Sequence, residues 1–116
     1  MTIDLRHAQA LRLLHDVSLG QVRAGGVDLS NRQAAILLTI YLELPPHTVR
    51  GLAAKLGVTK PVVTRALDAM GERDLVARRR DPQDRRNVIV SRTVQGALYL
   101  ERLGDLVILN ARNLPP

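Results

Sequence analysis

The stretch from Leu75 to Arg92, LVARRRDPQDRRNVIVSR, decides which fold this chain is expected to adopt. Two short β-prone runs, Leu75–Ala77 and Val88–Val90, enclose a polar segment, and Asp81-Pro82 within it is typical of a turn. The segment between the runs contains five arginines: Arg78, Arg79, Arg80, Arg85 and Arg86. The pattern predicts a β-hairpin with a strongly basic loop.

The residues before the hairpin predict two short helices joined by a tight turn. Thr48 is suited to cap a helix over Val49–Leu56, and Thr59 to cap a second one. Gly57 suits the left-handed turn between them, and Pro61 falls in the first turn of the second helix, where a missing N–H costs nothing. The second helix has an apolar stripe at helical spacing, formed by Val62, Val63, Ala66, Leu67 and Met70. Together with the hairpin, these helices predict a winged helix-turn-helix.

Three further helices are predicted around this motif. The first spans Ile3 to about Gln21, and the second follows the cap Ser30 and runs to about Leu44, before Pro45. The last starts at Thr93. The fold class is therefore mainly α with a small β-hairpin wing. We expect the DNA-binding domain at residues 29–92, with terminal helical regions at 1–28 and 93–116.

The two terminal helices are apolar on more than one side. A chain of 116 residues cannot cover both of these surfaces by itself. Exposed apolar area of this size usually marks an association site, so the terminal regions are expected to form a homodimer. The alternative is an interaction module, an adaptor or antagonist that pairs with another protein through the same helices.

Composition excludes several classes of function. The chain lacks cysteine, so it has neither disulfides nor thiolate sites, and His7, His15 and His47 are too isolated to bind a metal. No phosphate-loop motif or Ser-His-Asp set is present, so neither an enzyme nor a cofactor is expected. The N-terminus does not resemble a signal peptide, and no apolar run reaches the roughly 20 residues of a membrane span. A cytoplasmic protein without a membrane partner is expected.

The net charge of +6 is concentrated in one part of the chain. Residues 45–92 contain eleven Lys or Arg against five Asp or Glu, whereas the rest of the chain contains six of each. Focused positive charge favours binding to a polyanion, although a solvated basic surface is the simpler alternative. Non-specific binding to nucleic acid is also open, but the chain has no aromatic platform on which single strands could stack.

Several motifs in this order resemble the MarR family of winged helix-turn-helix regulators. These are Leu52-Ala53, Val63-Thr64-Arg65, Leu75-Val76-Ala77-Arg78-Arg79, Asp84-Arg85-Arg86, and Thr93-Val94-Gln95-Gly96. The similarity spans roughly residues 30–100. It implies a dimeric, sequence-specific regulator of transcription, most commonly a repressor, that binds double-stranded DNA. A small-molecule effector is compatible with this resemblance, but no motif identifies one.

The candidate DNA contacts follow from the helix-turn-helix and its wing. The recognition helix offers Thr59, Lys60, Pro61, Thr64 and Arg65, and the preceding helix begins with Thr48 and Arg50, beside amides that could bind phosphate. The wing offers Arg78, Arg80, Arg85 and Arg86, which suit phosphates or a narrow minor groove. Asp84 is expected to hold a neighbouring arginine in place, because phosphates would repel it.

Overall fold

The structure, a computed structural model, describes residues 2–116 and contains five helices and three strands in them. In chain order these are α1 (His7–Ala24), α2 (Asn31–Leu42), β1 (His47–Thr48), α3 (Val49–Leu56), α4 (Lys60–Gly71), β2 (Val76–Arg80), β3 (Val88–Arg92) and α5 (Val94–Arg112). They divide into two compact units, residues 29–100 and residues 2–28 with 101–116. The predicted fold class is confirmed.

The core of the unit formed by residues 29–100 is aliphatic, as a chain without Phe or Trp requires. Helices α2 and α4 and strand β3 supply its largest fully buried side chains, namely Ile36, Leu37, Ile40, Val63, Leu67, Met70 and Val90. Burying each such side chain contributes roughly 1.5–3 kcal/mol. The core therefore holds one face of α4 inward and leaves its opposite face in solvent.

Helix α2 begins as predicted but ends two residues early. The Ser30 hydroxyl accepts a hydrogen bond from the Gln33 amide at 3.1 Å, and the Gln33 side chain accepts one from the Ser30 amide at 2.9 Å. This reciprocal pair is a capping box. At the other end Glu43 is extended, so the prediction that the helix reaches Leu44 was wrong. Pro45 disfavours helical geometry at the residue before it, which ends the helix upstream.

The helix-turn-helix matches its predicted bounds at the turn. The Thr48 hydroxyl accepts a hydrogen bond from the Gly51 amide at 3.0 Å, and Gly57 has the left-handed φ of 69°. Thr59 occupies the N-cap position of α4, but its side chain makes no capping hydrogen bond, which corrects the prediction for that residue. Pro61 contributes to this difference, because it removes one of the two amides, at the second and third helical positions, from which a capping side chain could accept.

The hairpin is longer than predicted, and its loop is shorter. Strands β2 and β3 pair antiparallel, with Arg78 opposite Val90 and Arg80 opposite Val88. The prediction that residues 78–80 belong to the loop was therefore wrong. Backbone pairing with β3 satisfies their amides and carbonyls, so they extend the strand despite their charge. A third strand that the sequence did not predict, β1, pairs His47 with Val90 on the other side of β3.

A group of polar contacts joins the start of α5 to α2 and to the turn that precedes β2. The Tyr41 hydroxyl donates to the Thr93 carbonyl at 2.6 Å and accepts from the Thr93 amide at 2.9 Å. The Thr93 hydroxyl in turn accepts from the Gly96 amide at 3.0 Å, which caps α5. Arg92 donates to the carbonyls of Ile40 and Tyr41 at the end of α2. The Thr93 hydroxyl also donates to the Asp74 carbonyl at 2.5 Å. A Cβ at Gly96 would lie 2.5 Å from the Tyr41 hydroxyl oxygen, so these contacts leave no room for a side chain at position 96.

The second unit packs α1 antiparallel to the end of α5. The Gln9 side chain donates to the Pro115 carbonyl at 3.0 Å, and Gly20 lies against Leu106 further along α1. The predicted start of the first helix at Ile3 was wrong, because Arg6 is extended and α1 begins at His7. Large apolar side chains remain exposed on both helices: Leu11, Leu14, Val22, Val107, Ile108 and Leu109. None of the described helices is long and apolar enough to cross a membrane.

Candidate nucleic-acid interface

The exposed face of α4 carries the candidate base contacts. Val63, Ala66, Leu67 and Met70 point into the core, and the residues between them, Thr64 and Arg65, are exposed. Lys60 and Pro61 are exposed in the first turn, and Thr59 is exposed at the N-cap. Helix periodicity thus separates an inward apolar face from an outward polar one. The five candidates of the recognition helix all lie outside the core.

Arg65 borders a shallow groove together with a residue that sequence reasoning missed. The groove, of about 310 Å³, lies between the start of α2 and the side of α4, and its lining includes Ser30, Arg32 and Val62. Arg32 is exposed, like Arg65, so two guanidinium groups border one concave surface. No spacing in the sequence relates residues 32 and 65. Only the packing of α2 against α4 brings them together.

In the loop between β2 and β3, Asp84 binds Arg86. Its carboxylate accepts hydrogen bonds from the Arg86 side chain at 3.1 and 3.3 Å and from the Arg86 amide at 3.2 Å. Even so, the Arg86 side chain is 84% exposed, so most of its guanidinium still faces solvent. The Arg86 side chain is also the main reason that the pKa of Asp84 is lowered from 3.8, followed by the Arg86 amide. At neutral pH Asp84 is ionised, and the pair persists until acid protonates the carboxylate.

Arg50 links the start of α3 electrostatically to this loop. Its positive charge helps to lower the pKa of Asp84. Arg50 is exposed in the first turn of α3, whereas the adjacent Thr48 hydroxyl is occupied by its own helix as a cap. Arg50 is therefore close enough to the loop for its charge to act on the Asp84 carboxylate.

Strand geometry divides the arginines of the hairpin. Side chains alternate between the faces of a strand, so Arg78 and Arg80 share a face with the buried Val76, and Arg79 lies on the other. Arg80 donates to the Arg85 carbonyl at 3.0 Å across the loop. Arg78 forms an ion pair with Asp68 of α4 at 2.7 Å. Arg78 is therefore the candidate whose side chain already binds the recognition helix.

Other side chains near this surface have partners elsewhere or provide no ligand set. Lys55 of α3 forms an ion pair with Glu43 at 3.0 Å, so its charge is balanced by a carboxylate. His47 is nearly buried, and one of its ring nitrogens lies 3.2 Å from the Glu43 carbonyl oxygen. Within residues 2–116, no three His, Cys, Asp or Glu side chains are grouped so that they could hold a metal ion.

Comparison with known proteins identifies the family. The MarR family model matches residues 29–88. The transcriptional repressor CouR, solved bound to a 23-mer DNA duplex, is 32% identical, with 90% of this chain and 70% of that chain covered and a TM-score of 0.70.

Two other solved structures are similar. CouR from Rhodococcus jostii RHA1 bound to p-coumaroyl-CoA is 28% identical, covering 84% of this chain and 66% of that chain, with a TM-score of 0.63. A MepR mutant from S. aureus is 19% identical, covers 95% of this chain and 82% of that chain, and has a TM-score of 0.73, which shows a shared fold. No curated protein matches the chain. Because the family model covers more than half of its residues and the winged fold agrees, this chain belongs to the MarR family of DNA-binding transcriptional regulators.

Proposed function

We propose that this protein is a homodimeric repressor that recognises a specific, pseudo-palindromic site in double-stranded DNA. The single observation that carries the proposal is the exposed outer face of α4, which is held on an aliphatic core beside a basic hairpin. An α-helix of this kind fits the major groove, and two copies related by a two-fold axis read half-sites about one helical turn apart. The DNA complex of the 32% identical repressor CouR supports this function.

Each candidate residue other than Arg78 has a proposed role in DNA binding. Thr64 and Arg65 read base edges, since arginine pairs with guanine through two hydrogen bonds. Arg85 and Arg86 contact phosphates or the minor groove, which attracts arginine where it is narrow. The remaining proposed contacts are to the backbone: Thr48, Arg50, Thr59, Lys60, Pro61 and Arg80. Asp84 orients Arg86 through the bonds described above.

The homodimer is supported by the apolar surface of the terminal helices. Leu11 and Leu14 of α1 are 66% and 63% exposed, and Ile108 and Leu109 of α5 are 50% and 57% exposed. Removing such side chains from water is favourable by about 25 cal/mol for each Å² of apolar area, and the entropy lost on association offsets part of this gain. In an isologous contact the same apolar patch of each copy would be buried against the other copy.

A small-molecule effector is also part of the proposed function. It rests on the neighbour CouR, which was solved with p-coumaroyl-CoA. For this chain we infer only that a small molecule regulates DNA binding. Its expected effect is a weaker affinity for the selected site, measured by titrating candidate compounds into the protein–DNA complex.

Selection from a random pool of duplexes tests the proposed function most directly. We expect enrichment of one pseudo-palindromic sequence whose half-sites lie about 10 base pairs apart. Binding to it should weaken steeply as salt is raised, because the protein displaces counterions from phosphates. Recovery of sequences without any shared motif would contradict specific recognition.

Replacing Arg86 tests the role of the wing. Arg86→Ala should weaken binding to selected and unselected duplexes alike, because a contact to phosphate or to a narrow groove carries little base information. The slope of log affinity against log salt should fall by about 1. Asp84→Asn is the matched control, since it loosens Arg86 without removing its charge, and it should leave that slope nearly unchanged. An Arg86→Ala slope equal to that of the unaltered protein would contradict the assignment.

Light scattering during size-exclusion chromatography tests the assembly. A homodimer is expected for the unaltered protein. The double substitution Leu11→Asp and Leu14→Asp should shift it towards monomer, because charge in an apolar contact is unfavourable. A pair of aspartates at the exposed Val94 and Gln95 is the control. A stable monomer in the unaltered protein would favour the adaptor alternative instead.

A further inference from the structure

Asp68 places a negative charge on the face of α4 that is proposed to enter the DNA groove. It lies three residues after Arg65 and four after Thr64, so all three side chains lie on one side of the helix. The Asp68 side chain is 56% exposed. Phosphates on both sides of the groove would repel a carboxylate at this position. A counter-charge beside Asp68 would therefore favour DNA binding by this helix.

Arg78 supplies that counter-charge from the hairpin. Its guanidinium lies 2.7 Å from the Asp68 carboxylate, and its side chain is only 31% exposed. Arg78 is on the inner face of β2, opposite the buried Val90, so its side chain leaves the sheet towards α4. The guanidinium also passes near Gly71, where an added Cβ would lie 3.9 Å from it. Its position is therefore set by the helix and the strand together.

An exposed ion pair of this kind contributes little to folding. Such pairs add little to stability, since water screens them and the ordering of two side chains opposes them. The pair does, however, neutralise a negative charge that α4 would otherwise present to a polyanion. Its effect should therefore be measurable in binding rather than in unfolding.

We propose that Arg78 is a positioning residue that neutralises Asp68 and ties the wing to the recognition helix, and that it does not itself contact DNA. This inference rests on the proposed function. It separates Arg78 from the other hairpin arginines, whose side chains have no bond to α4. It also makes Asp68 a determinant of affinity whose effect depends on whether Arg78 is present.

A double-mutant cycle on the selected duplex tests this proposal. Arg78→Ala should weaken binding on the order of tenfold, because it leaves a bare carboxylate facing phosphates. Asp68→Asn alone should bind as tightly as the unaltered protein or more tightly. In the Asp68→Asn background, Arg78→Ala should cost less than about threefold, because no exposed carboxylate remains to be neutralised.

Arg79→Ala is the matched control for charge. It removes the same charge from the neighbouring residue of β2, but from the opposite face, where it cannot reach Asp68. Its effect on affinity should be the same in the unaltered protein and in the Asp68→Asn background. Arg78→Gln, which keeps most of the length of the side chain, repeats the cycle if Arg78→Ala unfolds, and thermal melting of each variant identifies that case.

Three results would overturn the proposal. An equal loss from Arg78→Ala in both backgrounds would make Arg78 a direct DNA contact. No loss from Arg78→Ala would mean that the charge on Asp68 has no effect on binding. If the selection yields no duplex that the unaltered protein binds, the proposed function itself is refuted, and this inference with it. The first two results leave the function intact, so the two failures are distinguishable.

Discussion

Gly96→Ala is expected to destabilise the protein by about 3 kcal/mol, the largest loss that we predict for a single methyl group. An added Cβ would overlap the backbone carbonyl oxygen of Leu75 and would lie 2.5 Å from the Tyr41 hydroxyl oxygen. Neither atom can move freely, because the Tyr41 hydroxyl is bonded to both the amide and the carbonyl of Thr93. Movement of the start of α5 away from α2 would break these bonds. Urea unfolding followed by circular dichroism measures the loss.

Gly104→Ala in the same helix is the control for the change of residue type. A Cβ at position 104 meets no heavy atom of the described residues within 4 Å. Alanine favours helix over glycine by about 1 kcal/mol, so this variant should be as stable as the unaltered protein or more stable. Equal unfolding midpoints for the two variants would contradict the close approach at Gly96.

Arg65→Ala is expected to weaken binding to the selected duplex by about 10- to 100-fold. A bidentate bond from arginine to guanine is worth about 1–3 kcal/mol of discrimination, and alanine cannot replace it. Affinity for unselected DNA should fall much less, because it depends on the sum of phosphate contacts. Repeating the selection with the variant should show that one position in each half-site has lost its preference.

The control for Arg65 is Arg102→Ala. Arg102 is an exposed arginine of α5 in the other compact unit, so its loss changes the net charge by the same amount without altering α4. Its selected motif should match that of the unaltered protein. A motif unchanged by Arg65→Ala would assign base reading to other residues of the helix, and Thr64 would be the next to test.

Local signals in the sequence predicted the helix-turn-helix well. Helix α3 has its predicted bounds because Thr48 and Gly57 act within a few residues of its ends, through a hydrogen bond and a left-handed φ. Asp74, in the turn before β2, adopts a left-handed φ of 58°. Aspartate tolerates this conformation better than most residues, so the turn before β2 is kept.

In the hairpin, local signals predicted the strand ends wrongly, because pairing between strands extends β2. The arginines at 78–80 are charged and are neither β-branched nor aromatic, and the sequence predicted a loop that began after Ala77. Pairing with β3 extends the strand regardless, because backbone bonds to an existing partner outweigh a weak local preference. The two-residue strand β1 is too short to show any periodicity, so it also escaped prediction.

By itself, the sequence determined the type of fold, the bounds of α3 and the turn that follows it, and the segment in which positive charge is concentrated. These features depend on residues close together in the chain. Only the tertiary structure decided where the arginine side chains lie and which groups they contact. It turns Arg78 towards Asp68, leaves Arg86 in solvent and brings Arg32 beside Arg65. The direction of a long side chain depends on the elements packed around it, and those elements come from distant parts of the chain.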